Sequence, residues 1–306
     1  MADRPMQSTD NLRAATLMVV SMALFAFEDS LIKIVSRELP VGQILVILGL
    51  AGTAAFWAMA AARGARVLSL QALTGAVLAR NLGEFAGTIG IVTALSLVPL
   101  STASAILQAA PLLVTMGAAL FLGEDVRWRR WAAVIVGLAG VLVILRPGGQ
   151  GFDANALWAV LGVAGLSLRD MASRRMPAQL DSLQVATWGF ASVVVAGALL
   201  VALSGEAAVP SGRAVGILAG TVIIGVVAYF MIVTATRTGD ISVVAPFRYA
   251  RIVFAIALGA LIFGERPDLP MIVGSLMIVG SGLYTFAREA QARRRARAFP
   301  TGAQPL

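Results

Sequence analysis

The 306-residue chain is 58% hydrophobic and only 13% charged, and its apolar residues come in runs of about twenty, which describes a polytopic α-helical membrane protein. The absence of Cys and His excludes disulfides, thiol chemistry, zinc sites and imidazole switching near neutral pH. The net charge of +8 sits mostly in short loops and in the tail "REAQARRRARAF", where it reads as cytosolic anchoring rather than nucleic-acid binding.

Hydropathy and Gly, Pro and Arg punctuation predict ten spans, at 12–35, 41–62, 74–97, 101–122, 129–146, 154–174, 182–203, 214–236, 242–263 and 269–287. The first, "AATLMVVSMALFAF", resembles the apolar stretch of a signal peptide, but apolar text resumes through "SLIKIV" after Glu28 and Asp29, so it is read as a retained span. No soluble domain remains. Alternating the loops puts fifteen arginines, from Arg4 to Arg297, on one side and Arg37, Arg146, Arg213 and Arg266 on the other. This positive-inside bias predicts a multi-pass protein of a bacterial-type inner membrane with both termini cytoplasmic.

Sliding the chain against itself by 141 residues (232 − 91) aligns its halves without a gap. "IVTA" at 91–94 falls on "IVTA" at 232–235, "ALFLGE" at 119–124 on "ALIFGE" at 260–265, Gln43 on Gln184, and Ser101 on Ser242. Polar residues keep the register, so duplication is the reading. Five spans per half is an odd number, and the second half must then enter from the opposite side. The predicted fold is all-α, ten transmembrane helices in two inverted five-helix repeats, 1–148 and 149–290, followed by a basic cytoplasmic tail at 291–306.

Each half ends with a helix running into Gly-Glu and then a glycine-rich helix, "PLLVTMGAALFLGEDVRWRRWAAVIVGLAGVLVILRPG" and "RIVFAIALGALIFGERPDLPMIVGSLMIVGSGLYTF". This pattern resembles the EamA repeat of the drug/metabolite transporter superfamily over nearly the whole chain. The resemblance implies a single-domain carrier whose central cavity opens alternately to each side. It also implies a small-molecule substrate, with exporters of aromatic and other amino acids, and carriers of riboflavin, S-adenosylmethionine, sugars or nucleotide sugars, among its members.

Nine ionisable residues fall inside the spans and are not expected to face lipid: Glu28, Asp29, Lys33, Arg80, Glu84, Arg169, Asp170, Arg248 and Arg251. In the outer third of the first span, Asp29 and Lys33 stack one helical turn apart, with Lys33 snorkelling outward. Near the cytosolic end of the sixth, Arg169 and Asp170 occupy the positions equivalent to Glu28 and Asp29. Glu28, Asp29, Arg169 and Asp170 read as gate or interface groups, or as structural ion pairs near helix ends. Arg80 shares a face with Glu84 at mid-depth in the third span, where an ion pair between them is expected.

Arg248 and Arg251 share a face near the middle of the ninth span, and Glu84 is the one obvious mid-depth counter-ion. The resulting positive, wet cavity suits a carboxylate or phosphate, which arginine grips with two hydrogen bonds. The alternative is that Glu84, helix-end carbonyls and water hold both arginines without substrate contact. Gln108, Tyr229 and Tyr249 complete the candidate substrate site, and Pro111 and Pro246 are expected to bend their helices. Gln108 aligns with Tyr249, so the two are expected to face each other between the halves. Glycines 83, 87 and 90, and others in the fifth and tenth spans, read as packing seams rather than dimer contacts. Glu124 and Glu265 are expected to cap helices or anchor loops, outside the site.

Intramembrane catalysis would need a nucleophile and base or metal ligands, and the chain has neither His, Cys nor a GxSxG elbow. A primary pump would need a GxxxxGK loop and a nucleotide-binding domain, which the sequence lacks. A passive channel fits less well than a carrier with inverted repeats. The expectation is a secondary transporter of small organic metabolites without cofactor or metal, exporting aromatic or varied amino acids. The alternative is uptake of riboflavin or S-adenosylmethionine through the same fold.

Overall fold

The computed structural model describes residues 8–298 apart from 66, 125, 150 and 178, and the regular elements among them are all helices. The first half contains α1 (Ser8–Val35), α2 (Val41–Ala62), α3 (Gly75–Leu97), α4 (Leu100–Leu107), α5 (Ala110–Phe121) and α6 (Trp128–Leu145). The second contains α7 (Ala156–Ser173), α8 (Ser182–Ser204), α9 (Gly212–Thr238), α10 (Ile241–Val244), α11 (Ala250–Phe263) and α12 (Leu269–Ala298), with a 3-10 turn at Ala245–Tyr249 between α10 and α11. Counting each broken helix once gives ten helical segments among the described residues, close to the expected limits. α12 differs from expectation by running on through the basic stretch to Ala298, whose Arg and Ala are good helix formers. Arg4 and 299–306, the end of the expected tail, lie outside the described residues.

Eight segments are long and apolar enough to cross a membrane. α3 and α7 fall short because Arg80 and Glu84 on one, and Arg169 and Asp170 on the other, dilute their apolar text. These two helices shelter each other. α3 lies along α7, α2 along α8, α1 along α9 and α6 along α12, so each of these helices takes its main partner from the other half.

Glycine sets the closest of these approaches. A Cβ built on Gly83 would sit 2.5 Å from the Arg169 nitrogen, one on Gly87 2.9 Å from Leu166 N, and one on Gly90 2.6 Å from Gly162 Cα. Backbone meets backbone along this seam, leaving no room for a side chain.

Two Gly-Glu turns end α5 and α11. Gly123 and Gly264 adopt φ of +69° and +68°, the left-handed conformation that stops a helix without steric cost only at glycine. Beyond the second turn, Glu265 accepts hydrogen bonds from Leu100 N (2.6 Å), Ser101 N (3.0 Å) and Ser101 Oγ (2.7 Å), capping α4 from the other half of the chain. Beyond the first, Glu124 pairs instead with Arg174 at 2.8 Å.

Loop carboxylates fasten the remaining ends. Asp268 pairs with Arg146 and accepts from Met271 N at the start of α12, and the Arg146 hydrogen bond holds its carboxyl below the usual range. Glu38 accepts from Ser211 N at 3.0 Å, and its hydrogen bonding to Ser211 likewise lowers its pKa.

Candidate functional site

Both helix breaks fall where the halves meet. Pro111, in the first turn of α5, has no N–H for the carbonyl one turn earlier, so the helix parts at Gln108 and Ala109. Pro246 begins the 3-10 turn that interrupts the corresponding span. Across the gap, Gln108 Nε2 donates to the Arg248 carbonyl at 3.1 Å. The two broken helices therefore touch through a side chain at one break and a backbone group at the other.

Around this junction the charged residues form two ion-paired groups. Arg251, on α11, grips Asp29 of α1, with Nη2 at 2.8 Å and 2.6 Å from its carboxylate oxygens and Nε at 3.2 Å. The Asp29 side chain is 7% exposed, and the Arg251 guanidinium also lies over the Phe25 ring, 5.3 Å from its centroid. On the α3 and α7 side, Glu84 lies 3.3 Å from both Arg80 Nη2 and Arg169 Nη1, while Arg169 Nε donates to Asp170 at 2.8 Å. Arg248 stands between the groups, with Asp170, Arg169 and Arg251 among the charges acting on it. Its side chain is exposed and, among the described residues, makes no hydrogen bond or salt bridge of its own.

This geometry corrects several expectations. Arg251 is neutralised by Asp29, not Glu84, although Asp29 was placed nearer the outer surface. Helical spacing fixes which residues share a face but not which helix that face meets. Lys33, one turn along α1 from Asp29, does not pair with it. Its Nζ donates to Leu95 O (3.0 Å) and Val98 O (2.5 Å), carbonyls at the end of α3 that lack helical donors. Arg80 and Glu84 do pair, but Glu84 is shared with Arg169.

Tyr249 is buried against α12, edge-on to Phe286 with ring centroids 6.2 Å apart and packed over Gly282, rather than facing Gln108, which bonds the Arg248 carbonyl instead. Tyr229 meets Phe56 edge-on at 5.2 Å and lies within electrostatic reach of Arg80. Glu28 is packed against Gly225 of α9, with Oε1 2.5 Å from where a Cβ would stand, and has no hydrogen bond or salt bridge among the described residues. Phe25 and Gly225 were not foreseen as neighbours of the charged residues. Phe25 lies one turn before Asp29, the only sequence sign of its role.

The EamA-like transporter family matches residues 12–146 and again 154–286. An S-adenosylmethionine uptake transporter of Rickettsia felis is 26% identical over 216 residues, covering 71% of this chain and 73% of that protein. A riboflavin transporter of Rhizobium johnstonii is 27% identical over 205 residues, 67% of each chain. The pseudopaline exporter CntI of Pseudomonas aeruginosa is 26% identical over 278 residues, covering 88% of this chain and 95% of that one. A solved crystal structure superposes with a TM-score of 0.61 at 22% identity over 90% of this chain and 98% of its own, a likeness of fold. With both halves matched, the chain belongs to the EamA-like transporter family.

Proposed function

We propose that the protein exports amino acids or their derivatives across a bacterial-type inner membrane by alternating access, with Arg248 holding the cargo carboxylate. Family membership makes the chain a multi-pass membrane transporter of a small molecule rather than an enzyme. The reading adds ten crossings, two inverted repeats at 1–148 and 149–290, and cytoplasmic termini. Packing supports the repeats. Under the 141-residue shift, the α3 and α7 contact becomes that of α9 and α1, while the α2–α8 and α6–α12 contacts map onto themselves. A two-fold relation between halves of odd span number has this property.

The observation that carries the cargo assignment is Arg248. Arg80, Arg169 and Arg251 each have a carboxylate within 3.3 Å, whereas Arg248 is exposed inside a span and has none at ion-pair distance among the described residues. An arginine in that setting faces water rather than hydrocarbon, and its planar fork suits a carboxylate. Gln108, on the Arg248 backbone, and Tyr229, near Arg80, line the same junction. Asp29, Arg80, Glu84, Arg169, Asp170 and Arg251 hold the helices around it, and Glu28, packed against Gly225, lies beside the Asp29–Arg251 pair. S-adenosylmethionine uptake is the second reading, favoured by the Rickettsia relative.

The test is efflux from proteoliposomes loaded with the standard amino acids, read by mass spectrometry against empty vesicles and an Arg248→Ala variant. Protein-dependent loss of particular amino acids is expected, with flux reduced about tenfold or more in the variant, as fits the loss of hydrogen bonds to a charged group. Absence of amino acid flux overturns the export reading. Uptake of labelled S-adenosylmethionine by the same vesicles would then support the second.

A further inference from the structure

The 141-residue shift carries Lys33 onto Arg174, Glu265 onto Glu124, and the loop from Leu95 to Ser101 onto 236–242. A basic side chain and a glutamate therefore stand beside an equivalent interhelical loop at each end of the protein, and the structure holds them in two different arrangements. At the Glu265 end both grip backbone. Lys33 binds the carbonyls of Leu95 and Val98, and Glu265 binds the N–H groups of Leu100 and Ser101 together with the Ser101 hydroxyl. The turn from α3 into α4 is pinned from both sides, and Lys33 and Glu265 also act on each other electrostatically.

At the Glu124 end the two charges bind each other. Arg174 Nη1 donates to Glu124 Oε1 at 2.8 Å, with the side chains 49% and 45% exposed. The backbone that aims the carboxylates does not differ. Glu265 N donates to Gly259 O at 3.0 Å and Glu124 N to Ala118 O at 3.2 Å, each just after a left-handed glycine. The ends differ in side-chain engagement, and at the Glu124 end Arg175, equivalent to Ile34, also donates from Nη2 to Phe121 O at 2.8 Å.

We propose that these are the locked and released settings of one latch, present twice, and that transport alternates them. The structure has the Glu265 end locked and the Glu124 end released. In the opposite state Glu124 accepts from Ile241 N and Ser242 N, Arg174 donates to carbonyls in 236–239, and Lys33 pairs with Glu265. The exchange leaves each carboxylate hydrogen-bonded in either state, to backbone when locked and to its cation when released, so neither is left alone. These residues position the gates and do not touch cargo. The inference rests on the alternating-access reading but not on the cargo assignment.

The chain has no cysteine, so a single introduced thiol reports cleanly. Ser104→Cys places it at a buried position one turn inside the Glu265 latch. Labelling by a bulky polar maleimide in detergent is followed in this background. Glu265→Ala removes three hydrogen bonds to a charged group, any one of which accounts for about a tenfold change, and is expected to raise the labelling rate about tenfold or more. Glu124→Ala, which weakens the opposite state, is expected to lower it, and the double variant to return towards the parent. Should Glu265→Ala not fold, Ser101→Ala gives a smaller rise of the same sign. Labelling that rises in both single variants, or moves in neither, overturns the latch even where proteoliposome flux is intact. Opposite shifts without any amino acid flux would uphold the latch and overturn the cargo reading.

Discussion

The α3 and α7 pair and the α9 and α1 pair occupy equivalent places in the two halves but hold together differently. In the first, glycines 83, 87 and 90 face Gly162 and Gly165, and the Glu84–Arg169 ion pair closes one end. The equivalent positions on α9 are Ile224, Ala228 and Met231, opposite Ser21 and Leu24 of α1. There the helices meet through side chains, with Ser21 Oγ donating to Ala228 O at 2.8 Å. Glu84 and Arg169 are replaced by Gly225 and Glu28, a carboxylate lying in the space of a missing side chain. Duplication has kept the packing scheme while the chemistry at equivalent points has diverged, so a charged site at the junction need not be symmetric.

The sharpest way to break this comparison is to make one interface resemble the other. Gly90→Leu puts a side chain where Gly162 Cα and Trp158 O would lie 2.6 Å from its Cβ. Backbone cannot move aside as a side chain can, so the cost exceeds the ~1–3 kcal/mol usual for overpacking. No monodisperse protein is expected on size exclusion, whereas Met231→Leu, at the equivalent point of α9, leaves elution unchanged. Next in size is the equivalent aspartate pair. Asp29→Ala strands the guanidinium of Arg251, which is 19% exposed, and is expected to cost about 3 kcal/mol. Asp170→Ala leaves Arg169 with Glu84 at a more open position and costs about 1 kcal/mol or less. Melting of the purified variants measures both, and equal losses would mean that the two charged groups are equally enclosed.

The helices were legible because runs of apolar residues and a register-keeping repeat are one-dimensional signals, and the Gly-Glu turns announce themselves through glycine. The polar character of α3 and α7 was visible too, in Arg80, Glu84, Arg169 and Asp170. Their mutual shelter was not, since it depends on which helices become neighbours. Arg251 illustrates the same limit. Its need for a counter-ion followed from the sequence, but choosing Asp29 over Glu84 required the crossing of α1 and α11. Lys33 was read from its helical neighbours, yet its partners are backbone carbonyls, which carry no sequence signature. Glu124 and Glu265 follow the same Gly-Glu turn, and their different partners could not be told from that shared pattern.

The smallest expected effect tests the comparison most finely. Ser21 and Gly162 are equivalent, and each faces the backbone of its partner helix. Ser21→Ala deletes one interhelical hydrogen bond to a carbonyl, for which membrane proteins lose about 0.6 kcal/mol, because the separated helices find other partners. If α1 and α9 were held like α3 and α7, removing the hydroxyl would allow closer approach and leave the melting temperature unchanged or raised. The reciprocal change, Gly162→Ser, offers a hydroxyl to α3 but starts from a Cβ 2.8 Å from Ile91 N, and steric repulsion outweighs any hydrogen bond gained. A small loss from Ser21→Ala beside a large one from Gly162→Ser is therefore expected, and it would separate an interface limited by side-chain chemistry from one limited by backbone proximity.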